Sequence, residues 1–417
     1  MTHPHAGQIV DGSFALHGFS VPFRFPVVFG EDIWNADRPL FADIVRRLEP
    51  ERRHRVMVVV DEFVAREQPW LQERIESYFA AHQGSLELAG PVVLVPGGEA
   101  VKNDVTHTFA LLQRVNDLGI DRHAFITVIG GGAVLDMVSF AAAIAHRGIR
   151  IIRMPTTVLA QGDSGIAVKN GINLFGKKNF IGTFVPPFAV INDIHMLRSL
   201  ERRDVIAGVS EAIKVSLLRD PAFFGYLEQH ATRIAAGDDE PLGPVVRRSA
   251  ELHLAHICGN GDPFELGSAR PLDFGHWAAH KLESITANRL RHGEAVAIGM
   301  ALDLTYSVKK GFLARGTCER ILAVLEATGL RLWDDALLDR QADGRLTLLK
   351  GLDEFREHLG GDLHVTMLRD IGRSFEVTEM DDAVVADSIV ELSNRASTGQ
   401  ASTAGPATAA SRTPRPA

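Results

Sequence analysis

The sequence predicts an α/β protein, a parallel-sheet domain followed by a mainly α-helical domain. Three observations carry this. From about residue 55 to 191, apolar strand-like runs alternate with helical stretches, the pattern of a parallel sheet covered on both faces. A glycine turn, Gly130-Gly131-Gly132, stands between one such run and a helical pattern. After about residue 200 helical patterns take over, and 417 residues are too many for one ordinary core. The predicted units are an α/β domain over 1–200, a helical domain over 201–394 and a disordered tail over 395–417, low-complexity from Ser397.

Residues 14–30 carry β-formers broken by turn residues, which predicts a pair of short strands. A buried-strand run over 55–60 ends at Asp61. A carboxylate there either binds a ribose hydroxyl or caps the next helix. A helix over 70–82, a strand over 91–95, a helix over 105–118 and a strand over 125–129 lead to the glycine turn. The helix predicted over 133–146 would present free N–H groups and a positive dipole end to a phosphate. Its G-G-G-x-x-x-D pattern is not G-x-G-x-x-G, so alone it is a weak dinucleotide signal. Strands over 149–154 and 189–191 complete the sheet. Helices are predicted over 204–219, 221–235, 244–258, 271–285, 294–310, 318–327 and 381–394, with strand-like patches at 364–368 and 375–377.

Composition excludes several classes. Hydrophobic content of 46% with 23% charged residues is globular. A net charge of −8 argues against a non-specific nucleic-acid or phospholipid surface, so basic residues near a site are local and purposeful. Cys258 and Cys318 are far apart and in no metal spacing, which excludes a disulfide scaffold and fits a reducing compartment. Residues 1–8 lack the apolar core of a signal peptide, and no apolar run reaches membrane-spanning length. The expectation is a soluble, cytoplasmic protein with neither nucleic-acid nor membrane partners.

Candidate chemistry lies in two groups. His276 and His280 are one helical turn apart, His292 follows sixteen residues after His276, and Glu211 sits on an earlier helix with Lys214. Three helices could bring Glu211, His276 and His292 together as one carboxylate and two imidazoles with an open position, a catalytic zinc pattern. With 17 histidines in the chain, surface or core roles for these residues remain the alternative. The second group is basic. Lys169 stands in an apolar, Gly-rich stretch whose other charged residue is Asp163, so it should be paired or hold an anion. The same reasoning covers Lys178, beside Asn179, whereas Lys214, Arg147 and Arg356 singly fit a solvated surface equally well.

The order and spacing of Gly130-Gly131-Gly132, Asp136, Arg147, Pro155-Thr156-Thr157, Asp163, Lys169, Lys178-Asn179, Glu211, Lys214, His276, His280 and His292-Gly293-Glu294 resemble the sugar phosphate cyclases, the superfamily of 3-dehydroquinate synthase. The resemblance runs from about residue 55 to 310, more loosely to about 380. Among its branches, the chain is most similar to the cyclase of the Ebo biosynthetic clusters. The resemblance implies a Rossmann-like N-terminal domain holding NAD, and a metal, zinc or cobalt, in the cleft against a helical C-terminal domain. It implies NAD contacts from Asp61, Glu99, Lys102, Gly131, Gly132 and Asp136, with Thr156, Thr157, Lys178 and Ser199 near the cofactor. It makes Glu211, His276 and His292 the metal ligands. Asp163, Lys169, Asn179, Lys214 and His280 would line a phosphorylated seven-carbon sugar. Arg147 would reach the neighbouring subunit's phosphate site in a homodimer. The implied reaction oxidises a secondary hydroxyl, eliminates phosphate, restores the alcohol, opens the ring and closes a carbocycle by an intramolecular aldol step. It is a phosphate-releasing lyase reaction with no net redox change.

Departures from the pattern bear on the substrate. Dehydroquinate synthases have an arginine seven residues, and an asparagine three residues, before the first ligand histidine. Those positions are Ala269 and Asp273, with Arg270 adjacent as a replacement. The lysine expected on the preceding helix is His253. The arginine and lysine hold the carboxylate of a heptulosonate 7-phosphate, so their loss or shift points to a non-carboxylated heptulose phosphate, as used by 2-epi-5-epi-valiolone synthases, whereas His280 is retained as in dehydroquinate synthases and 3-dehydroquinate synthase-like stays the first label. Arg356 is the candidate for the C-terminal phosphate cation. Two readings from other classes stand beside this one: a metal-dependent polyol dehydrogenase of the glycerol dehydrogenase kind, and a non-catalytic scaffold.

Overall fold

The computed structural model describes residues 20–259, 263–264, 272–358 and 360–403. Nine strands belong to the first half: β1 (Val27–Gly30), β2 (His54–Asp61), β3 (Leu86–Leu88), β4 (Val93–Val95), β5 (Phe125–Gly130), β6 (Arg150–Pro155), β7 (Lys169–Leu174), β8 (Lys177–Phe184) and β9 (Ala189–Asp193). Seven of them form one sheet in the order β1-β9-β6-β5-β2-β3, with β4 also pairing β2, and every pairing is parallel. Strand β2 shows why its sequence reads as one apolar run. Val56, Val58 and Val60 enter the core on one face, while Met57 and Val59 enter the core on the other.

The strands differ from expectation at two places in particular. The predicted strand pair over 14–30 is a single strand, Val27–Gly30, within the described residues; residues 14–19 lie outside them. Pro22 and Pro26 precede it and cannot donate to a ladder. The second is an antiparallel hairpin, β7–β8, inserted between β6 and β9 where no strand is expected. Its strand β8 is exposed along most of its length, and the run 177–184 has no apolar alternation to reveal it.

The passage from sheet to helices falls between Ser199 and Arg202. The helices that matter for the site are Arg202–Arg219, Leu242–Gly259, His276–Ile285 and His292–Lys309. The last is buried almost all round and forms the centre of the helical core. The helix predicted from 271 begins at His276, and a short helix, Lys350–His358, was not expected. Strands β10 (Val365–Asp370) and β11 (Arg373–Val377) form a small antiparallel ribbon. The final helix, Asp382–Thr403, continues past residue 395, where the sequence predicts the tail to begin, and residues 404–417 lie outside the described residues. No helix among the described residues is long and apolar enough to cross a membrane.

Candidate active site

The carboxyl ends of the parallel strands set out one wall. Asp61 ends β2, Gly130 ends β5 with Gly131 and Gly132 following it, and Thr156 and Thr157 follow β6. Asp61 is buried and its Oδ1 accepts from the Phe63 N–H at 2.8 Å, so it caps the helix Glu62–Glu67. It also lies against the Gly131 N–H, and burial raises its pKa above the usual carboxylate range. Only glycine fits opposite it: a Cβ on Gly97 would stand 2.4 Å from Asp61 Oδ1. The glycine turn is equally close, since a Cβ on Gly132 would meet Ser164 Oγ at 2.8 Å. Gly131 and Gly132 open the helix Gly132–Ile144 beside this strip, with the Gly131 N–H turned to Asp61. A cleft of about 430 Å³ is lined by Gln68, Asp193, Met196 and Ser199, and Ser199 Oγ accepts from Gln68 Nε2 at 3.0 Å.

Glu99, Lys102 and Asp136 meet above this wall, and hairpin β7–β8 closes over them. Lys102 is buried and its Nζ donates to Asp136 Oδ2 at 2.7 Å and to Asn179 Oδ1 at 2.5 Å. Asn173 Nδ2 donates to Glu99 Oε1 and Asn103 Oδ1, both at 2.8 Å, and its Oδ1 accepts from the Asn179 N–H at 2.8 Å. Asn179 has φ 53°, a left-handed conformation that asparagine tolerates.

Beneath, the segment carrying Asp163 and Lys169 is tied down by Arg153 of β6. Arg153 is 1% exposed; its Nε donates to Ser139 Oγ at 3.0 Å and its Nη1 to the Gly165 and Ala167 carbonyls at 3.2 and 2.5 Å. Its Nη2 donates to Asn170 Oδ1. Burial lowers the pKa of this guanidinium to about 10, which leaves it charged at neutral pH.

The facing wall is helical. Glu211, His276 and His292 each offer one ligand atom, all within 4.8 Å of one another. Glu211 Oε1 is 3.7 Å from His276 Nε2 and 3.7 Å from His292 Nε2. Glu211 is 1% exposed, and neither of its carboxylate oxygens has a hydrogen-bond partner. Lys214 Nζ stands 2.5 Å from Glu211 Oε2, a close charge pair outside hydrogen-bonding geometry. Burial pushes the Glu211 carboxyl up, but Lys214 and the two imidazoles outweigh it and hold the group below its ordinary value. Burial disfavours the Lys214 cation, yet Glu211, Asp163 and Asp273 together raise its pKa. Burial and Lys214 lower His276 to about 3, so this imidazole is neutral and available as a ligand. His280 opens to the cleft but is crowded by protein elsewhere and by His276, which lowers its pKa.

Three glycines make these contacts possible. A Cβ on Gly293 would stand 1.8 Å from the Ala207 carbonyl oxygen, and one on Gly299 would stand 2.1 Å from that of Gly275. One on Gly208 would meet Val158 Cβ at 2.6 Å. Helix Arg202–Arg219 is therefore in backbone contact with the helix of His292, and the latter with the turn before His276. That turn is held by Asp303, which accepts from the Gly275 N–H at 3.0 Å and from Trp277 Nε1 at 2.9 Å.

Lys178, predicted beside the dinucleotide, reaches the helical wall, where its Nζ donates to Glu283 Oε1 at 2.8 Å. Asp163 Oδ1 is 3.3 Å from His253 Nε2, so the histidine in the expected lysine position is engaged with a carboxylate. Asp273 accepts the N–H of His276 through its carbonyl at 3.0 Å. Lys169 opens β7 with an exposed side chain, and Arg147, with φ 64°, is exposed. Arg356 is exposed and lies 3.3 Å from Asp353 on its own helix. Arg270 lies outside the described residues. The residue that sequence reasoning missed is Glu283. Its signal was present, since 276, 280 and 283 share one helix face, but a glutamate there reads as an ordinary helix carboxylate.

Family models for the 3-dehydroquinate synthase N-terminal and C-terminal domains match residues 92–207 and 208–349. The chain belongs to the 3-dehydroquinate synthase family. The 3-dehydroquinate synthase of Roseobacter denitrificans is 35% identical over 335 residues, which cover 79% of this chain and 86% of that protein. The 2-epi-5-epi-valiolone synthase of Streptomyces glaucescens is 33% identical over 280 residues, 66% of this chain and 70% of that one. Among solved structures, a 2-epi-5-epi-valiolone synthase from Streptomyces hygroscopicus with NAD+ and Zn2+ bound superposes with a TM-score of 0.79 at 25% identity. That match covers 91% of this chain and 99% of the other. A 2-deoxy-scyllo-inosose synthase complexed with carbaglucose-6-phosphate, NAD+ and Co2+ shares the fold, with a TM-score of 0.70, 21% identity and coverage of 88% and 96%. This member of the 3-dehydroquinate synthase family is thus an enzyme whose relatives include more than one kind of cyclase.

Proposed function

We propose that the protein is an NAD- and metal-dependent sugar phosphate cyclase that converts a seven-carbon sugar phosphate to a carbocycle with release of phosphate. The observation that carries this is the buried Glu211 carboxylate, whose Oε2 is paired with Lys214 while Oε1 has no hydrogen-bond partner and faces two imidazole nitrogens. A buried carboxylate oxygen left in that state is costly, and a divalent cation between the three groups would satisfy it. The strand-end strip of Asp61, Gly97 and the glycine turn similarly fits a dinucleotide, because any side chain there would block the backbone's close approach.

A bound zinc or cobalt ion would supply Lewis-acid polarisation of a substrate hydroxyl, and NAD a reversible hydride acceptor. The protein's own groups then position and stabilise. Glu211, His276 and His292 would hold the ion, while Asp61, Glu99, Lys102, Asp136, Thr156, Thr157 and Ser199 would surround the dinucleotide with Gly131 and Gly132. Lys214, kept charged by three carboxylates, steadies the oxygen that loses its proton. Lys169 and Asn179 orient the phosphorylated end, and His280 presents a neutral imidazole beside the reacting carbons. The leaving phosphate takes up the adjacent C–H proton, so no strong protein base is needed. Exposed Arg147 reaches the second subunit of a homodimer, for which the exposed Phe175, Phe180 and Phe184 of hairpin β7–β8 supply apolar surface.

Within the family we favour a non-carboxylated heptulose phosphate. Asp163 and Asp273 make this end of the cleft acidic, and His253 is already engaged by Asp163. Among the described residues, a substrate carboxylate there would meet these two carboxylates and would have to share Lys214 with Glu211, Asp163 and Asp273. The test offers purified protein, with NAD and zinc or cobalt, sedoheptulose 7-phosphate and the heptulosonate 7-phosphate side by side. Phosphate release with a carbocyclic product from sedoheptulose 7-phosphate alone is expected. Turnover of only the heptulosonate would refute the substrate preference. Phosphate release from neither, with net NADH formation from a polyol, would refute the cyclase reading.

A further inference from the structure

We propose that Glu283 is a positioning residue for His292, and that Lys178, arriving from hairpin β7–β8, holds Glu283 in that role. The proposal rests on the reading of Glu211, His276 and His292 as a metal centre. Glu283 is 3% exposed. Its Oε1 accepts from Lys178 Nζ at 2.8 Å. Its Oε2 has no hydrogen-bond partner of its own and faces His292 Nδ1 at 3.4 Å. A buried carboxylate oxygen aimed at an imidazole nitrogen favours the proton on that nitrogen. The other nitrogen, Nε2, then carries the lone pair, and it is Nε2 that faces Glu211.

The two imidazoles are supported differently. His276 Nδ1 lies 3.2 Å from the Phe274 carbonyl, a neutral acceptor, and its Nε2 also faces Glu211. His292 has a carboxylate behind it, which makes its ring the more basic ligand.

Lys178 adds a link between the two walls. Its neighbour Asn179 is bonded to Lys102, and Asn173 on the same hairpin to Glu99 and Asn103. One hairpin thus touches the segment 99–103 of the sheet wall and, through Lys178 and Glu283, the ring of His292. Without Lys178 the buried carboxylate is free to turn, and His292 loses a fixed partner.

The test needs no turnover. Metal-free protein is titrated with Co2+, and its visible absorption and dissociation constant are recorded for the wild type, Glu283→Gln, Lys178→Met and His292→Ala. Glu283→Gln is expected to weaken Co2+ binding about 10- to 100-fold and to alter the absorption bands, which a merely structural role would leave in place. Lys178→Met, at a partly exposed position, is expected to weaken binding several-fold and carries the test if Glu283→Gln does not fold. Wild-type affinity and spectrum in a folded Glu283→Gln, or in Lys178→Met, would overturn the proposed role of the residue changed. Absence of stoichiometric Co2+ binding by the wild type, or undiminished binding by His292→Ala, would instead overturn the metal-centre reading beneath it.

Discussion

Gly293→Ala tests the geometry of the helical wall most directly. The added Cβ would stand 1.8 Å from the Ala207 carbonyl oxygen and 2.6 Å from both the Ala207 carbonyl carbon and Ser210 Oγ. Ordinary contact begins at 3.4 Å, so the shortfall is 1.6 Å. The atoms met first are backbone, and no side-chain rotation relieves them. Helices Arg202–Arg219 and His292–Lys309 must separate, and Glu211 and His292 ride on those two helices within about one turn of the contact. A metal site tolerates about 0.2 Å in ligand distance. Even a fraction of the required shift therefore removes a ligand. Over-packing of this kind costs about 1–3 kcal/mol of stability, and loss of ligand alignment should weaken Co2+ binding by about 100-fold or more. Co2+ titration and urea unfolding measure the two effects. Gly316→Ala, on the helix Arg315–Ala327 where an added Cβ meets nothing within 4 Å, is the control and should be neutral or slightly stabilising. Metal affinity and a urea midpoint unchanged in Gly293→Ala would refute the claim that backbone contact sets the ligand spacing.

Two further outcomes follow from single residues. Lys169→Ala should lower turnover by about 100-fold or more while leaving NAD binding, followed by fluorescence, within about 3-fold; unaltered turnover would remove Lys169 from the substrate site. Asp303 is fully buried, and burial raises its pKa to about 7 despite the N–H groups it accepts from Gly275 and Trp277. Because the folded value lies above the unfolded one, the native state binds the proton more tightly. Its contribution to stability is full below about pH 4, falls as pH rises toward 7 and is gone above that. The stability of the wild type relative to Asp303→Asn should therefore decline between about pH 4 and 7, as measured by urea unfolding at each pH. A difference independent of pH would show that Asp303 is ionised throughout.

The sheet was legible because its strands are buried on both faces and read as unbroken apolar runs, with β2 and β5 the plainest cases. The glycine turn was legible as a turn but not as a close approach, since the contacts that crowd a Cβ on Gly131 and Gly132 come from Thr157 and Ser164, 26 and 32 residues away. Hairpin β7–β8 escaped notice because its outer strand is exposed and carries lysine, asparagine and glycine in place of an alternating pattern. Glu211, His276 and His292 were nominated by spacing and resemblance, yet spacing cannot tell a converging set of ligands from surface histidines. Lys178 was assigned to the dinucleotide by resemblance, whereas its nitrogen lies at Glu283 of the other wall.

The sequence by itself determined the division into a parallel-sheet half and a helical half, the order of most elements and the chemical character of the cleft. Those follow from periodicity and residue type, which are local. Only the tertiary structure decided that Gly293 and Gly299 set the spacing of three helices, that Arg153 anchors the loop of Asp163 and Lys169, and that Glu283 stands between Lys178 and His292. Each of those depends on groups remote in the chain meeting at a few ångströms, and the free energy of such a contact exists only once both partners are buried together.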